Sequence, residues 1–399
     1  MRGVAPRHAL WVLYADTLTM AVGFYMLVPL LAYHFLENLG LAVAVVGMLA
    51  AIRGAAQNGT QPIAGWIADR IGYRTAISGG VLIRASGFAV LGLTESLPIL
   101  VAGSILAGLG GALFHPASYA AYAAFSAGRD QTRVYATREL YSNVGFVLGP
   151  MIGGLLAGLE FRWVALGSAT LFLVAFVITV VGLPPVSLAH GKERAKIGAA
   201  LRDRRFVPML AMVGTVWMLS GQLYLVVPVR AAAVLDGSFG VGLVYTSAAV
   251  FMVATMLPLT GFASRHLPPG RVIALGGLSL GAGIAVMGLW DSVVGLVAGA
   301  LVFTVGQMLT QPTVNSLISQ FAEPHSIATY FGAAGLARAI GGIVGNLAGG
   351  ALYTIAGGGG ALSTAVWFVF VGVGLAVATL LWTRGPGGAP PSAATSGTQ

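Results

Sequence analysis

About twelve strongly apolar runs follow one another along this chain, separated by short polar turns. A helix that crosses a bilayer needs roughly 20 apolar residues. The runs meet that length and read as 9–35, 42–66, 75–93, 97–122, 131–158 and 162–183, then 206–230, 241–263, 271–289, 293–320, 327–355 and 361–383. Only 8% of the 399 residues are charged, where a soluble domain carries about 25%. Polar surface is too scarce for a fold in water, so the expected partner is the lipid bilayer. The first run, from Ala9 to Phe35, is too long for the apolar core of a cleavable signal and reads as a permanent helix.

The net charge of +9 invites a nucleic-acid partner, but its placement argues for none. With these spans, fifteen of the 21 Lys/Arg residues fall at one face, from Arg2, Arg7, Arg70 and Arg74 through Arg204 and Arg205 to Arg384. Only Arg162 and Arg230 fall at the other face, while Arg53, Arg84, Arg138 and Arg338 lie inside helices. Loops rich in Lys and Arg stay cytoplasmic. An even number of spans then puts both termini in the cytoplasm, as expected of a multi-pass protein of the inner (plasma) membrane. The chain has no cysteine, which excludes disulfides and thiolate metal sites. Its histidines and carboxylates lack metal-ligand spacing, so neither a metal nor a cofactor is expected.

The two halves repeat. At an offset of 196, Pro62 aligns with Pro258, Gly65 with Gly261, Gly110 with Gly306 and Pro116 with Pro312. Gly145, Gly149, Gly153 and Gly154 align with Gly341, Gly345, Gly349 and Gly350 at the same offset. The expected fold class is therefore all-α: a polytopic membrane protein with twelve transmembrane helices in two pseudo-symmetric six-helix bundles. The first bundle covers 1–183, a basic cytoplasmic linker 184–205, and the second bundle 206–384. The Gly/Pro/Ser/Thr-rich tail 385–399 is expected to be disordered.

Between the second and third runs lies Gly65-Trp66-Ile67-Ala68-Asp69-Arg70-Ile71-Gly72-Tyr73-Arg74. Gly65 allows a close helix approach, and Gly72 supplies a turn conformation that other residues resist. The spacing G-x-x-x-D-R-x-G-x-R resembles the signature loop of the major facilitator superfamily. The bland alternative is an ordinary basic turn. The second copy, from Gly261 to Arg271, is degraded and has no Asp. The resemblance implies two six-helix halves that rock about a site near the bilayer midplane. It also implies a loop that steadies one state through contacts around Asp69, with Asp130 of the next basic loop as an expected partner of Asp69, Arg70 and Arg74.

Gly145-Phe146-Val147-Leu148-Gly149-Pro150-Met151-Ile152-Gly153-Gly154 resembles the G-x-x-x-G-P-x-x-G-G motif of antiporter branches of that superfamily. Glycines four apart also form a flat packing face, so plain helix packing explains them as well. Pro150 can bend the helix. In the fourth run the Arg and Gln of the exporters' R-x-x-Q-G-x-G pattern are replaced by Ser104 and Ala107. Asp16, Arg53, Arg84 and Phe114-His115-Pro116, each in its place, resemble one multidrug-exporter subgroup and imply drug–proton antiport.

Charges inside membrane helices are costly and usually functional. Asp16 lies about 10 Å into the first run at 1.5 Å per residue, and Glu139 at similar depth in the fifth. Either forms a static ion pair, as Asp16 with Arg53 or Arg84, or faces the cavity, exchanges protons and senses a cationic substrate. Asp16 is the first choice for proton coupling and Glu139 the second, since Arg138 adjoins it. His115 is a proton relay or satisfies a carbonyl freed by Pro116. Gln307 and Gln311 offer cavity hydrogen bonds or join helices. Trp11, Tyr14, Phe24, Tyr25, Trp217 and Tyr224 form an aromatic cavity wall for lipophilic cations or anchor the chain in lipid.

The expected function is a monomeric secondary active transporter that exports small amphipathic, drug-like compounds in exchange for protons. The rivals are a proton-coupled metabolite symporter, an exporter of one metabolite, and a non-transporting receptor or scaffold. No nucleophile–base constellation supports an enzyme, and no phosphate loop supports ATP as the energy source.

Overall fold

The computed structural model describes residues 6–157, 160–185, 196, 198–223, 226–227, 230, 238–356 and 361–384. Half of the expected linker, the tail 385–399 and Tyr224 lie outside these residues. Among the described residues there is no β-strand. Twelve helices follow the apolar runs. The first six are α1 (Pro6–Tyr33), α2 (Val43–Ile71), α3 (Tyr73–Leu93), α4 (Leu97–Phe125), α5 (Gln131–Ala157) and α6 (Phe161–Gly182). The second six are α7 (Val207–Ser220), α8 (Ser238–His266), α9 (Pro269–Leu289), α10 (Val293–Phe321), α11 (Ile327–Ala356) and α12 (Ala361–Arg384). A π-helical turn, His34–Asn38, extends α1.

The run expected over 206–230 breaks from a regular helix at Gly221 and Gln222, and Leu223, Val226, Val227 and Arg230 are helical again. There the Gln222 amide donates to the carbonyls of Met218 and Gly345 at 2.9 and 2.8 Å, and Tyr353 donates to its oxygen at 2.9 Å. Nine of the described helices are long and apolar enough to cross a membrane. The other three are α2, α5 and the 14-residue α7. α2 and α5 fall short in apolarity because they carry Arg53, Gln57, Asn58, Gln61, Asp69, Arg138 and Glu139, polar groups that belong on faces turned from lipid.

The repeat is structural. α3 and α9 each have 21 residues, and α4 and α10 each have 29. In the first half α1 packs on α5 and α6, α3 on α4 and α6, and α2 on α4. In the second half α9 packs on α10 and α12, α8 on α10, and α7 on α11. The halves meet through α2 against α11 and α5 against α8.

Close backbone approach sets these crossings, since lipid supplies no hydrophobic force between helices. A Cβ at Gly87 would sit 2.4 Å from the Ala107 nitrogen, and one at Gly283 would sit 2.6 Å from the Phe303 nitrogen. Both residues of each pair are related by the 196-residue offset. The glycine-proline motif follows the same rule. Cβ atoms at Gly145, Gly149 and Gly153 would strike Ala21 to Met26 of α1, and those at Gly341, Gly345 and Gly349 would strike Gly214 and Met218 of α7 and Gln222 just beyond it. Gly154 and Gly350 face open space. α5 stays helical through Pro150.

Neighbouring glycines should therefore behave oppositely. Gly153→Ala places a methyl 2.3 Å from the Met26 carbonyl oxygen and should cost roughly 1–3 kcal/mol of overpacking. Gly154→Ala meets nothing within 4 Å and should leave the melting temperature in detergent unchanged or higher. Equal melting of the two variants would contradict the packing.

Candidate functional site

The halves are latched at the face where the basic loops lie. Gly65 is so close to α11 that a Cβ there would fall 2.1 Å from the Ala328 carbonyl oxygen. That contact brings Asp69 to the first turn of α11, where helix amide hydrogens have no intrahelical partner. Asp69 accepts from the Ala328 and Thr329 amides at 3.0 and 2.7 Å and from the Thr329 hydroxyl at 2.7 Å. Tyr73 of its own half donates to it at 3.1 Å. A carboxylate at a helix N-terminus is favoured by the dipole as well as by these bonds. Gly72, with φ +89°, makes the turn that returns the chain into α3. Arg70 lies over the Trp66 ring at 4.2 Å, and Arg74 donates to the Val180 carbonyl of α6.

Asp130 does not partner this loop. Its carboxylate accepts from the Arg133 amide at 3.1 Å at the start of α5 and from Ser264 of α8 at 3.4 Å. At the 196-residue offset Arg265 holds, in the second loop copy, the place of Asp69 in the first, and Ser264 that of Ala68. Gln131 accepts from Ser319 of α10 at 2.8 Å, and Phe331 of α11 stacks on Tyr119 of α4 at 5.1 Å. Ala136 of α5 packs on Met252 and Met256 of α8 and Met308 of α10. These bonds and apolar contacts join the halves near one face.

Beyond the latch lies a cavity of about 430 Å³ between the halves, whose α2 wall runs from Gln61 to Gln57 above Asp69. At 1.5 Å per residue that is about 12 to 18 Å of depth. Its wall combines Gln57, Asn58 and Gln61 of α2, His115 and Tyr119 of α4, Trp217 of α7, and Arg338 and Asn346 of α11. Of the expected site residues, His115 lines it, as does Trp217 of the expected aromatic wall. Gln307 and Gln311 are half-buried on α10 and do not line it. Trp11 is 63% exposed. Tyr14 is buried against Tyr122 and Tyr141.

The buried charges separate into three groups. Asp16 is fully buried, accepts from Thr179 of α6 at 2.9 Å, and has a second oxygen without a hydrogen-bond partner. The expected ion pairs of Asp16 with Arg53 or Arg84 are not formed among the described residues; the cation whose field reaches it is Arg138. Arg53 and Arg84 instead flank the Phe24 ring at 5.7 and 4.6 Å. Thr17, one residue beyond Asp16, bonds Tyr122 at 2.9 Å, so this part of α1 is committed to α4 and α6. Glu139 pairs with Arg138 at 2.6 Å. Tyr119 packs beneath the Arg138 and Arg338 guanidiniums at 4.1 and 5.6 Å.

Sequence reasoning missed Thr329, Ser264, Tyr119, the α2 amides and the cavity position of Arg338. Only Arg338 carried a readable signal, as a charge inside an apolar, glycine-rich helix with no acid on that helix.

Comparison with known proteins places this architecture. The Major Facilitator Superfamily model matches residues 17–346. Multidrug resistance protein MdtH of Aeromonas salmonicida is 28% identical over 94% of this chain and 95% of its own. MdtH of Escherichia coli strain SE11 is 27% identical over 86% of each. Among solved structures, the human organic anion transporter MFSD10 (TETRAN) superposes with a TM-score of 0.71 over 95% of this chain and all of its own, at 18% identity. The E. coli fucose:proton symporter FucP gives a TM-score of 0.73 over 94% of this chain and 99% of its own, at 14% identity. The chain belongs to the Major Facilitator Superfamily and is a multi-pass membrane transporter of small molecules, not an enzyme.

Proposed function

We propose that this protein exports small amphipathic, drug-like compounds in exchange for protons, by alternating access, from the inner membrane with its basic face and both termini cytoplasmic. One observation carries the reading: the cavity lies beyond a latch that ties the halves together at the basic face. A cavity sealed on one side by a breakable polar contact is one of the two states that alternating access requires. The relatives named for multidrug resistance and the glycine-proline motif support export. The rival is a proton-coupled metabolite symporter, favoured by the shared fold of the fucose:proton symporter.

In this mechanism Asp69 holds the outward-facing state. Opening toward the cytoplasm pulls its carboxylate from three donors of α11, and water replaces them. Proton coupling rests on a carboxylate that exchanges its proton as the halves move. Asp16 is the proposed carrier, because its unpartnered oxygen can hold a proton without losing a bond. Glu139 is the alternative, because it accepts a hydrogen bond from Tyr119, whose own side chain lines the cavity.

Three outcomes follow from this mechanism. Asp69→Asn should shift the balance between the two states by about 1.5–3 kcal/mol, the worth of a hydrogen bond to a charged group. Turnover in proteoliposomes should slow about tenfold or more, with expression and substrate affinity nearly unchanged; collapse of all three would make the loop a folding element. A reporter active only outside the cytoplasm, fused after Arg384, should stay silent, and activity there would overturn the orientation. An imposed proton gradient should accelerate efflux by the wild type but not by Asp16→Asn. If Glu139→Gln alone loses that acceleration, the carrier is Glu139.

A further inference from the structure

From the charge balance of the cavity we infer that the transported compounds carry an anionic headgroup, a carboxylate or its equivalent, which docks on Arg338. This rests on the transporter reading of the cavity and not on the direction of export. The residues described along its wall include a guanidinium, an imidazole and four side-chain amides, but no carboxylate. Arg338 has no ion pair or hydrogen bond among the described residues. The nearest carboxylate to act on it, Glu139, is already bound to Arg138 at 2.6 Å. Two guanidiniums thus share one carboxylate, and the surplus positive charge faces the cavity.

An unpaired cation at membrane depth is costly and calls for an anionic partner. A substrate carboxylate would complete the charge count, and a guanidinium binds one in a bidentate fork. The amides of Gln57, Asn58 and Asn346 surround the position where such a headgroup would sit. Trp217, with Ala339 and Ile343, offers an apolar surface for the rest of the molecule. The sequence reading expects lipophilic cations in an aromatic cavity. Arg338 repels them, and the Tyr119 ring that would stabilise a cation is already used by two guanidiniums.

The test is direct binding to the purified full-length protein, read by fluorescence anisotropy at one pH. The probes share one aromatic body: pyrenebutanoate, its uncharged methyl ester, and pyrenebutylamine. The carboxylate should bind at least tenfold more tightly than the ester, and the ammonium probe more weakly still. Arg338→Met should remove the carboxylate's advantage while leaving ester binding intact, which also reports that the variant is folded. Arg338→Lys should restore part of it. Equal binding of the three probes, binding of none, preference for the amine, or an undiminished carboxylate advantage in Arg338→Met would each overturn the inference. Carboxylate preference with inward, proton-coupled uptake in vesicles would leave the inference standing and overturn only the export reading.

Discussion

The architecture depends on helix backbones coming within contact distance of one another in a solvent that gives them no hydrophobic reason to do so. Glycine makes that approach possible, and dispersion across the flat faces it creates holds the helices together. The glycines at 87 and 283, and those at 153 and 349, face the corresponding neighbour in each half. The same two-helix crossings are therefore built twice. Two rigid bundles joined through fewer contacts are what a rocking motion needs.

Between the bundles the interactions change in kind. Asp69 presents a charge to unpaired amides, and its geometry requires the Gly65 approach to place it there. Such a bond is strong when made and is replaced by water when broken, which suits a contact that must form and release in every cycle. The second copy is weaker. Ser264 meets Asp130 at 3.4 Å in an exposed position, where Asp69 is 7% exposed and bonded by α11 at 2.7 and 3.0 Å. The latch is consequently asymmetric although the bundles are not.

The charges inside the first bundle divide their work by position. Arg53 and Arg84 enclose Phe24, and Asp16 is held by α6, all away from the wall of the cavity. Among the described arginines within the helices, Arg338 alone lines this cavity between the bundles. The cavity's electrostatic character thus comes from the second half, and the proposed proton carriers come from the first. Substrate and proton would then be sensed on opposite sides of the moving interface.

Twelve helices and their pairing into a repeat were legible in the sequence because each rests on local quantities. Apolar length marks a span, and glycine and proline recur at one offset. Gly65 and Gly72 could be read for the same reason, as residues whose backbone demands are intrinsic. Partnership was not legible. Asp69 bonds residues about 260 positions away, and Asp130 is drawn to Ser264 instead of the loop beside it. Asp16 faces Thr179 because α1 is rotated toward α6, and no apolar stripe announces that rotation in a helix surrounded by lipid and other apolar helices. Local chemistry determined what each segment is. Which faces meet, and so which charge lines the cavity, was decided only when twelve similar helices packed around one another.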